Sequence, residues 1–118
     1  MKLLYVIIYL LIIGCSAPTT LSRKNNPDIV SVKIDLPSVQ CDMCKQIITE
    51  GLTRMEGVQT AYVNLNEKKI LIKYDKNRLD LIELGQNISK LGYQAGDMSA
   101  NVEAYNNLPN CCKFPEDR

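Results

Sequence analysis

The chain is 118 residues long, 46% hydrophobic, 23% charged and 6% aromatic, which fits one globular domain and excludes a disordered, collagenous or polytopic membrane chain. Fourteen basic residues against thirteen acidic ones give +1, so there is no electrostatic footprint for nucleic acid. With no histidine, a Ser-His-Asp or Cys-His site, a HExxH zinc site and every His-ligated metal centre are excluded, and the five cysteines at 15, 41, 44, 111 and 112 become the chemistry to read.

Met1 and Lys2 precede an unbroken apolar run, Leu3 to Ile13, followed by Gly14-Cys15. At 1.5 Å rise per residue this run covers about half of a bilayer core about 30 Å thick, so it is too short to span. A basic start, an apolar stretch of this length and a small residue at its end predict a secretory signal peptide over 1–14. Ile12-Ile13-Gly14-Cys15 also resembles the bacterial lipobox. That resemblance implies cleavage before Cys15, acylation of its sulfur, and a lipid-anchored protein of the bacterial envelope facing the periplasm. Ser16 after the cysteine would favour the outer membrane in a cell that has one. An ordinary signal peptide or an uncleaved anchor with an incidental cysteine is the alternative. Residues 15–28 are polar, contain two prolines and read as a linker. A flexible chain of this length has an r.m.s. span of about 20 Å and a stretched reach of about 45 Å, so the domain stays close to its membrane.

Val30, Val32, Ile34 and Leu36 alternate with Ser31, Lys33 and Asp35, which predicts a half-buried strand ended by Pro37. A short loop then carries Cys41 and Cys44. Cys44, Ile47, Ile48, Leu52 and Met55 fall on one face of a helix over 44–55, stopped by Gly57. Ala61, Val63 and Leu65 alternate as a second strand, and Asn66-Glu67-Lys68 turns into a third with Ile70, Ile72 and Tyr74 on one face. Leu81, Leu84, Ile88 and Leu91 mark a second helix over 79–91, ended by Gly92 and weakened at Gly85 by about 1 kcal/mol relative to alanine. Tyr93 to Asp97 is expected to form a final strand. The order βαββαβ is an α+β, ferredoxin-like arrangement, with two helices on one face of a four-stranded antiparallel sheet. A domain over 29–98 has a core of roughly seventy residues, small enough to call for a metal or a docked tail.

In Cys41-Asp42-Met43-Cys44, two intervening residues let one loop direct both sulfurs at a single soft ion, and the start of the helix favours the thiolate that binds it. Two sulfurs leave an open site that suits two-coordinate Cu(I) or Hg(II) better than tetrahedral Zn(II). A hard oxygen from Asp42 would favour Zn(II) or Cd(II), and the Met43 thioether would favour Cu(I), but both residues read first as exposed bystanders. A thioredoxin-like redox site is a rival reading of a CxxC beside a strand and helix. Such a site needs a proline loop opposite the dithiol, and after Cys44 the prolines are Pro109 and Pro115, both in the tail. A plain disulfide between cysteines so close in sequence closes almost no loop and stabilises little. An interaction module with merely structural cysteines is the third alternative.

From Val30 to about Gly96 the chain resembles the heavy-metal-associated domain of copper chaperones, copper-ATPase metal-binding modules and periplasmic mercury-binding proteins. The resemblance rests on Cys41-x-x-Cys44, Glu56-Gly57-Val58, Val63-Asn64-Leu65, Ile72-Lys73-Tyr74-Asp75 and Leu91-Gly92-Tyr93, in this order. It implies a metal carrier or sequestrant and not an enzyme, with the ion at Cys41 and Cys44. It also implies a metal-transporting ATPase or another such domain as donor or acceptor, with exchange of thiolates through a three-coordinate intermediate. Cu(I) is the first expectation, with Hg(II), Zn(II) or Cd(II) after it. A monomer is expected, with a metal-bridged dimer as the alternative. Tyr93 matches the position where the loop before the last strand approaches the metal, so its phenol either shields the ion or donates to a thiolate, or else is a packed aromatic with a solvated hydroxyl. Ser38-Val39-Gln40 stands where the family has Gly-Met-x, and Val39 can fill part of the methionine's place beneath the loop.

Residues 99–118 form a tail beyond that resemblance. Ala100 to Asn107 can make two helical turns with Val102 and Tyr105 on one face, before Leu108-Pro109-Asn110 leads into Cys111-Cys112. The final strand would run about 17 Å away from the metal end, and eight helical residues with a few extended ones can return over that distance. Vicinal cysteines do not easily chelate one ion together, because the small ring of a vicinal disulfide or chelate is strained. One of Cys111 and Cys112 is therefore a candidate third ligand or acceptor of the ion, and a tail disulfide, internal or to a partner, is the other reading.

Overall fold

The computed structural model describes residues 27–118; the leader, Cys15 and most of the linker lie outside the described residues. Alternation of apolar and polar residues produces the sheet. β1 (Ile29–Asp35) and β2 (Val58–Asn64) both pair antiparallel with β3 (Lys69–Asp75), in the order β1-β3-β2. The register aligns Val63, Ile70 and Ile34 in one row across the sheet and Ala61, Ile72 and Val32 in the next. Such same-face neighbours are the packing units of a sheet, and Ile34, Val63, Ile70, Ile72 and Tyr74 are buried. At the β2–β3 turn the Asn64 side chain accepts the backbone N–H groups of Asn66 and Glu67 at 3.0 and 3.1 Å.

α1 (Asp42–Thr53) buries Cys44, Ile48 and Leu52, four residues apart on one face, and packs against β2. It starts two residues earlier than periodicity predicts, because its first turn, Asp42 and Met43, is exposed and carries no apolar signal. α2 (Leu81–Lys90) packs on α1 and buries Leu84 and Ile88 in the same core. It begins at a capping box: Asp80 accepts the Glu83 N–H at 2.8 Å and Glu83 accepts the Asp80 N–H at 2.9 Å.

The expected fourth strand does not form, and the sheet has three strands among the described residues. Beside the end of β1, the segment 93–97 makes one backbone hydrogen bond to it, from Gly96 N–H to Asp35 C=O at 2.8 Å. Ala95 pairs instead with Met98 in a tight reversal. Gly96 stands at φ +55, in the left-handed region that an extended strand does not visit.

After that reversal the tail folds back. Asn101 caps α3 (Val102–Asn106) by accepting the Ala104 N–H at 2.9 Å, and two 3-10 turns follow, Asn110–Cys112 and Pro115–Asp117. Ser89 anchors the tail's first residues, its hydroxyl donating to the Ser99 carbonyl at 2.7 Å and its own carbonyl accepting the Asn101 N–H at 3.0 Å. α3 then crosses directly over Gly92. A Cβ on that residue, which has φ +96, would lie 2.9 Å from the Tyr105 nitrogen and 3.0 Å from the Ala104 carbonyl carbon. Leu108 and Cys112 enter the core, so the docked tail enlarges it. Val102, expected to share a face with Tyr105, is 72% exposed, whereas Tyr105 packs against the core.

Candidate metal centre

Cys41 is the N-cap of α1, in extended backbone, and has no close side-chain cap hydrogen bond; Cys44 is the third residue of the helix, on its buried face. The pair therefore brackets the first helical turn rather than preceding it in a loop, and the turn brings the two sulfurs to 3.2 Å. Ser38 and Val39 hold the approach to this turn. The Ser38 hydroxyl accepts the Gln94 N–H at 2.9 Å, tying the approach to the segment after Gly92. Val39 is buried in the core beneath the turn's approach.

The tail supplies the other wall. Its 3-10 turn Asn110–Cys112 packs on α1 and sets the Cys112 sulfur 3.8 Å from that of Cys41. Cys111 and Cys112 have sulfurs 4.0 Å apart, and those of Cys41, Cys111 and Cys112 all lie within 4.8 Å of one another. Among the described residues, Cys41, Cys44, Cys111 and Cys112 form no disulfide. The vicinal sulfurs are splayed rather than joined, so both face Cys41, where ring strain had singled out one. Met43, 48% exposed, brings its thioether sulfur to 4.0 Å from Cys111. Asp42 is exposed in the first turn. The turn is held down by Tyr105, whose hydroxyl accepts the Phe114 N–H at 2.9 Å and donates to Asp117 at 2.7 Å. Neither this latch nor the crossing at Gly92 was singled out from the sequence, and Gly92 beside a returning chain was the available signal.

The thiols are not equivalent. Burial would raise the pKa of Cys41, but the Cys44 backbone N–H, followed by the thiols of Cys44, Cys111 and Cys112, overcomes it and brings the value down from 9.0 to about 7. Burial and the neighbouring Cys44 thiol push Cys112 up instead. Cys111 is also raised, first by its contact with Cys41 and then by burial. One thiolate thus forms readily, at the helix N-terminus, where peptide dipoles favour negative charge. Tyr93 is fully buried, and among the described residues its hydroxyl has no hydrogen-bond partner. Burial first, and then the Cys112 and Cys44 thiols, raise its pKa well above the ordinary tyrosine value, so it remains a protonated donor beside the cysteines. The cluster offers soft sulfur ligands, which suit Cu(I) and other thiophilic ions.

Residues 33–94, just over half of the chain, match the heavy-metal-associated domain family. A copper-exporting P-type ATPase of Staphylococcus aureus (strain Newman) is 34% identical over 75 residues, covering 64% of this chain and 9% of that protein. The chain therefore spans less than a tenth of the length of such ATPases. The copper chaperone CopZ of Staphylococcus haemolyticus (strain JCSC1435) is 26% identical over 65 residues, 55% of this chain and 96% of that one. Among solved structures, the N-terminal soluble domains of Bacillus subtilis CopA match with a TM-score of 0.55 at 29% identity, over 58% of this chain and 46% of that one. Oxidized MerP from Ralstonia metallidurans CH34 matches with a TM-score of 0.55 at 18% identity, over 58% and 94%, and shows the ferredoxin-like fold alone. With its CxxC at the start of the first helix and the family's pattern running from Lys33 to Gln94, the chain belongs to the heavy-metal-associated domain family.

Proposed function

We propose that the protein is a Cu(I) chaperone or sequestrant that holds the ion between Cys41 and Cys44 and exchanges it with another domain of the same family, such as one on a metal-transporting ATPase. The observation that carries this reading is the pair of sulfurs 3.2 Å apart across the first turn of α1, one of them with a pKa of about 7. Each thiol gives up its proton when the ion binds, and the resulting anionic bis-thiolate sits at the positive end of the helix dipole. The buried Tyr93 hydroxyl then gains a strong acceptor, because a neighbouring thiolate can receive its proton in a hydrogen bond. Exchange proceeds as an incoming thiolate adds to the open site before one resident sulfur leaves. No bond of an organic substrate is made or broken, so the reading is of a carrier and not an enzyme. The relatives named for copper support copper as the cargo, and two thiolates suit its Cu(I) state.

The test is a competition titration against a Cu(I) chelator under anaerobic conditions. The double variant Cys41→Ser, Cys44→Ser is expected to keep its fold and to lose affinity by more than the roughly 10- to 100-fold typical of removing an outer-shell partner. Equal affinity in wild type and variant, or efficient turnover of wild type in an insulin-reduction assay, would sink the reading.

We further propose that Cys15, acylated after removal of residues 1–14, tethers the domain to a membrane of the bacterial envelope. Support comes from the Ile12-Ile13-Gly14-Cys15 end of the apolar run. Cys15→Ala is expected to leave the precursor uncleaved by signal peptidase II. A mature mass and membrane extraction unchanged from wild type would refute it.

A further inference from the structure

We propose that the tail builds a second, three-sulfur site from Cys41, Cys111 and Cys112, and that a soft ion held by Cys41 and Cys44 passes into it within one chain while Cys41 stays bound. The proposal rests on the Cu(I) reading of the Cys41/Cys44 pair and goes beyond it by giving the vicinal cysteines a role.

The geometry favours a site of this kind. With metal–sulfur bonds of about 2.3 Å, three sulfurs in a plane around one ion stand about 4.0 Å apart. Cys41 to Cys112 is 3.8 Å, Cys111 to Cys112 is 4.0 Å, and the third edge falls within 4.8 Å. At 3.2 Å the Cys41–Cys44 pair is closer than that spacing and must open to admit an ion, whereas two edges of the three-sulfur group already have it. The tail sulfurs are placed by packing rather than by chance contact. Cys112 is 1% exposed on a turn seated on α1, and the Tyr105 latch and the Gly92 crossing fix the chain on either side of it. Accessibility is graded as well: Cys44 is fully buried, Cys41 is intermediate and Cys111 is exposed. An ion leaving Cys44 therefore meets Cys41 and the tail sulfurs before it meets a partner.

The transfer balances without redox chemistry. The Cys111 and Cys112 thiols lose their protons and their sulfurs bond to the ion, while the bond to Cys44 breaks and that sulfur takes up one proton. The second proton goes to water and the ion keeps its oxidation state. Three thiolates hold the ion more firmly than two, so the docked tail retains it, and the exposed Cys111 is the sulfur an outside acceptor meets first.

Removing Cys44 separates this proposal from a plain two-sulfur site. In the full chain, reduced, monomeric and free of added thiols, Cys44→Ala is expected to retain one Cu(I) with three sulfurs by X-ray absorption. Its affinity should drop by no more than about tenfold, the low end of an outer-shell loss. Alanine avoids placing a hydroxyl in the core, and Cys44→Val, which keeps the buried volume, repeats the measurement if circular dichroism shows the first variant unfolded. Adding Cys111→Ser and Cys112→Ser to the Cys44 variant should abolish binding. In the wild-type background the same two tail substitutions should lower the sulfur count by one and speed chelator extraction. The tail site is overturned if the Cys44 variants lose Cu(I) while the tail double variant keeps wild-type coordination and extraction rate. Wild-type affinity in Cys41→Ser, Cys44→Ser would instead overturn the parent reading and this one with it.

Discussion

At the start of α2, Asp80 and Glu83 satisfy each other's backbone donors at 2.8 and 2.9 Å; the same position in α1 is Cys41, which makes no close side-chain cap hydrogen bond. The two helices share one core, so the difference lies in what each N-terminus is for. A capped end uses its orphan N–H groups for stability. An end left to a cysteine keeps those donors for a sulfur, and the Cys44 N–H is the largest of the influences lowering the Cys41 pKa. The helix start that holds the thiol forgoes the oxygen cap that the other start possesses.

The sharpest way to break this comparison is to exchange the two kinds of ending. Cys41→Ser installs a good N-cap and is expected to stabilise the fold by about 1 kcal/mol, while Asp80→Ala should destabilise it by about the same amount. For a domain of this size the Tm shifts should be about 4–8 °C in opposite directions. Only the first variant should weaken Cu(I) binding. A loss of stability in Cys41→Ser equal to that in Asp80→Ala would mean that the α1 terminus is already capped in solution.

A smaller effect sharpens the electrostatic half of the comparison. With its pKa lowered to about 7, Cys41 is thiolate above that pH and protonated below it, whereas Cys111 is raised and stays protonated through neutrality. Iodoacetamide labelling followed by peptide mass mapping should therefore modify Cys41 first at pH 7.5, with a half-maximal rate near pH 7, although Cys111 is the more exposed. Preferential labelling of Cys111 at that pH would show that exposure, and not the helix terminus, governs reactivity.

Much of this was legible in the residues because it depends on local periodicity. Val30, Val32 and Ile34, and likewise Ile70, Ile72 and Tyr74, declare a buried face by alternation alone. Cys44, Ile48 and Leu52 do the same for α1. The fourth strand was misread because Tyr93 and Ala95 alternate correctly, but the chain reverses at Gly96 and Ala95 turns back to Met98 instead of laddering along β1. The burial of Leu108 and Cys112 was illegible for a related reason. Each is a single apolar residue buried through contacts far away in the chain, so no spacing announces them. The reach of the tail could be calculated, but its landing depends on Gly92 admitting the backbone of Ala104 and Tyr105.

The missing fourth strand bears on how the protein behaves in concentrated solution. β1 is laddered to β3 on one side, and among the described residues its other side receives a single backbone hydrogen bond, at Asp35. A row of unpaired peptide groups along Ile29–Asp35 is a template for another extended segment. Lys33, exposed in the middle of that strand, supplies the kind of charge that blunts such edges. Replacing it with an apolar residue would leave the fold's interior untouched while removing a guard against self-association.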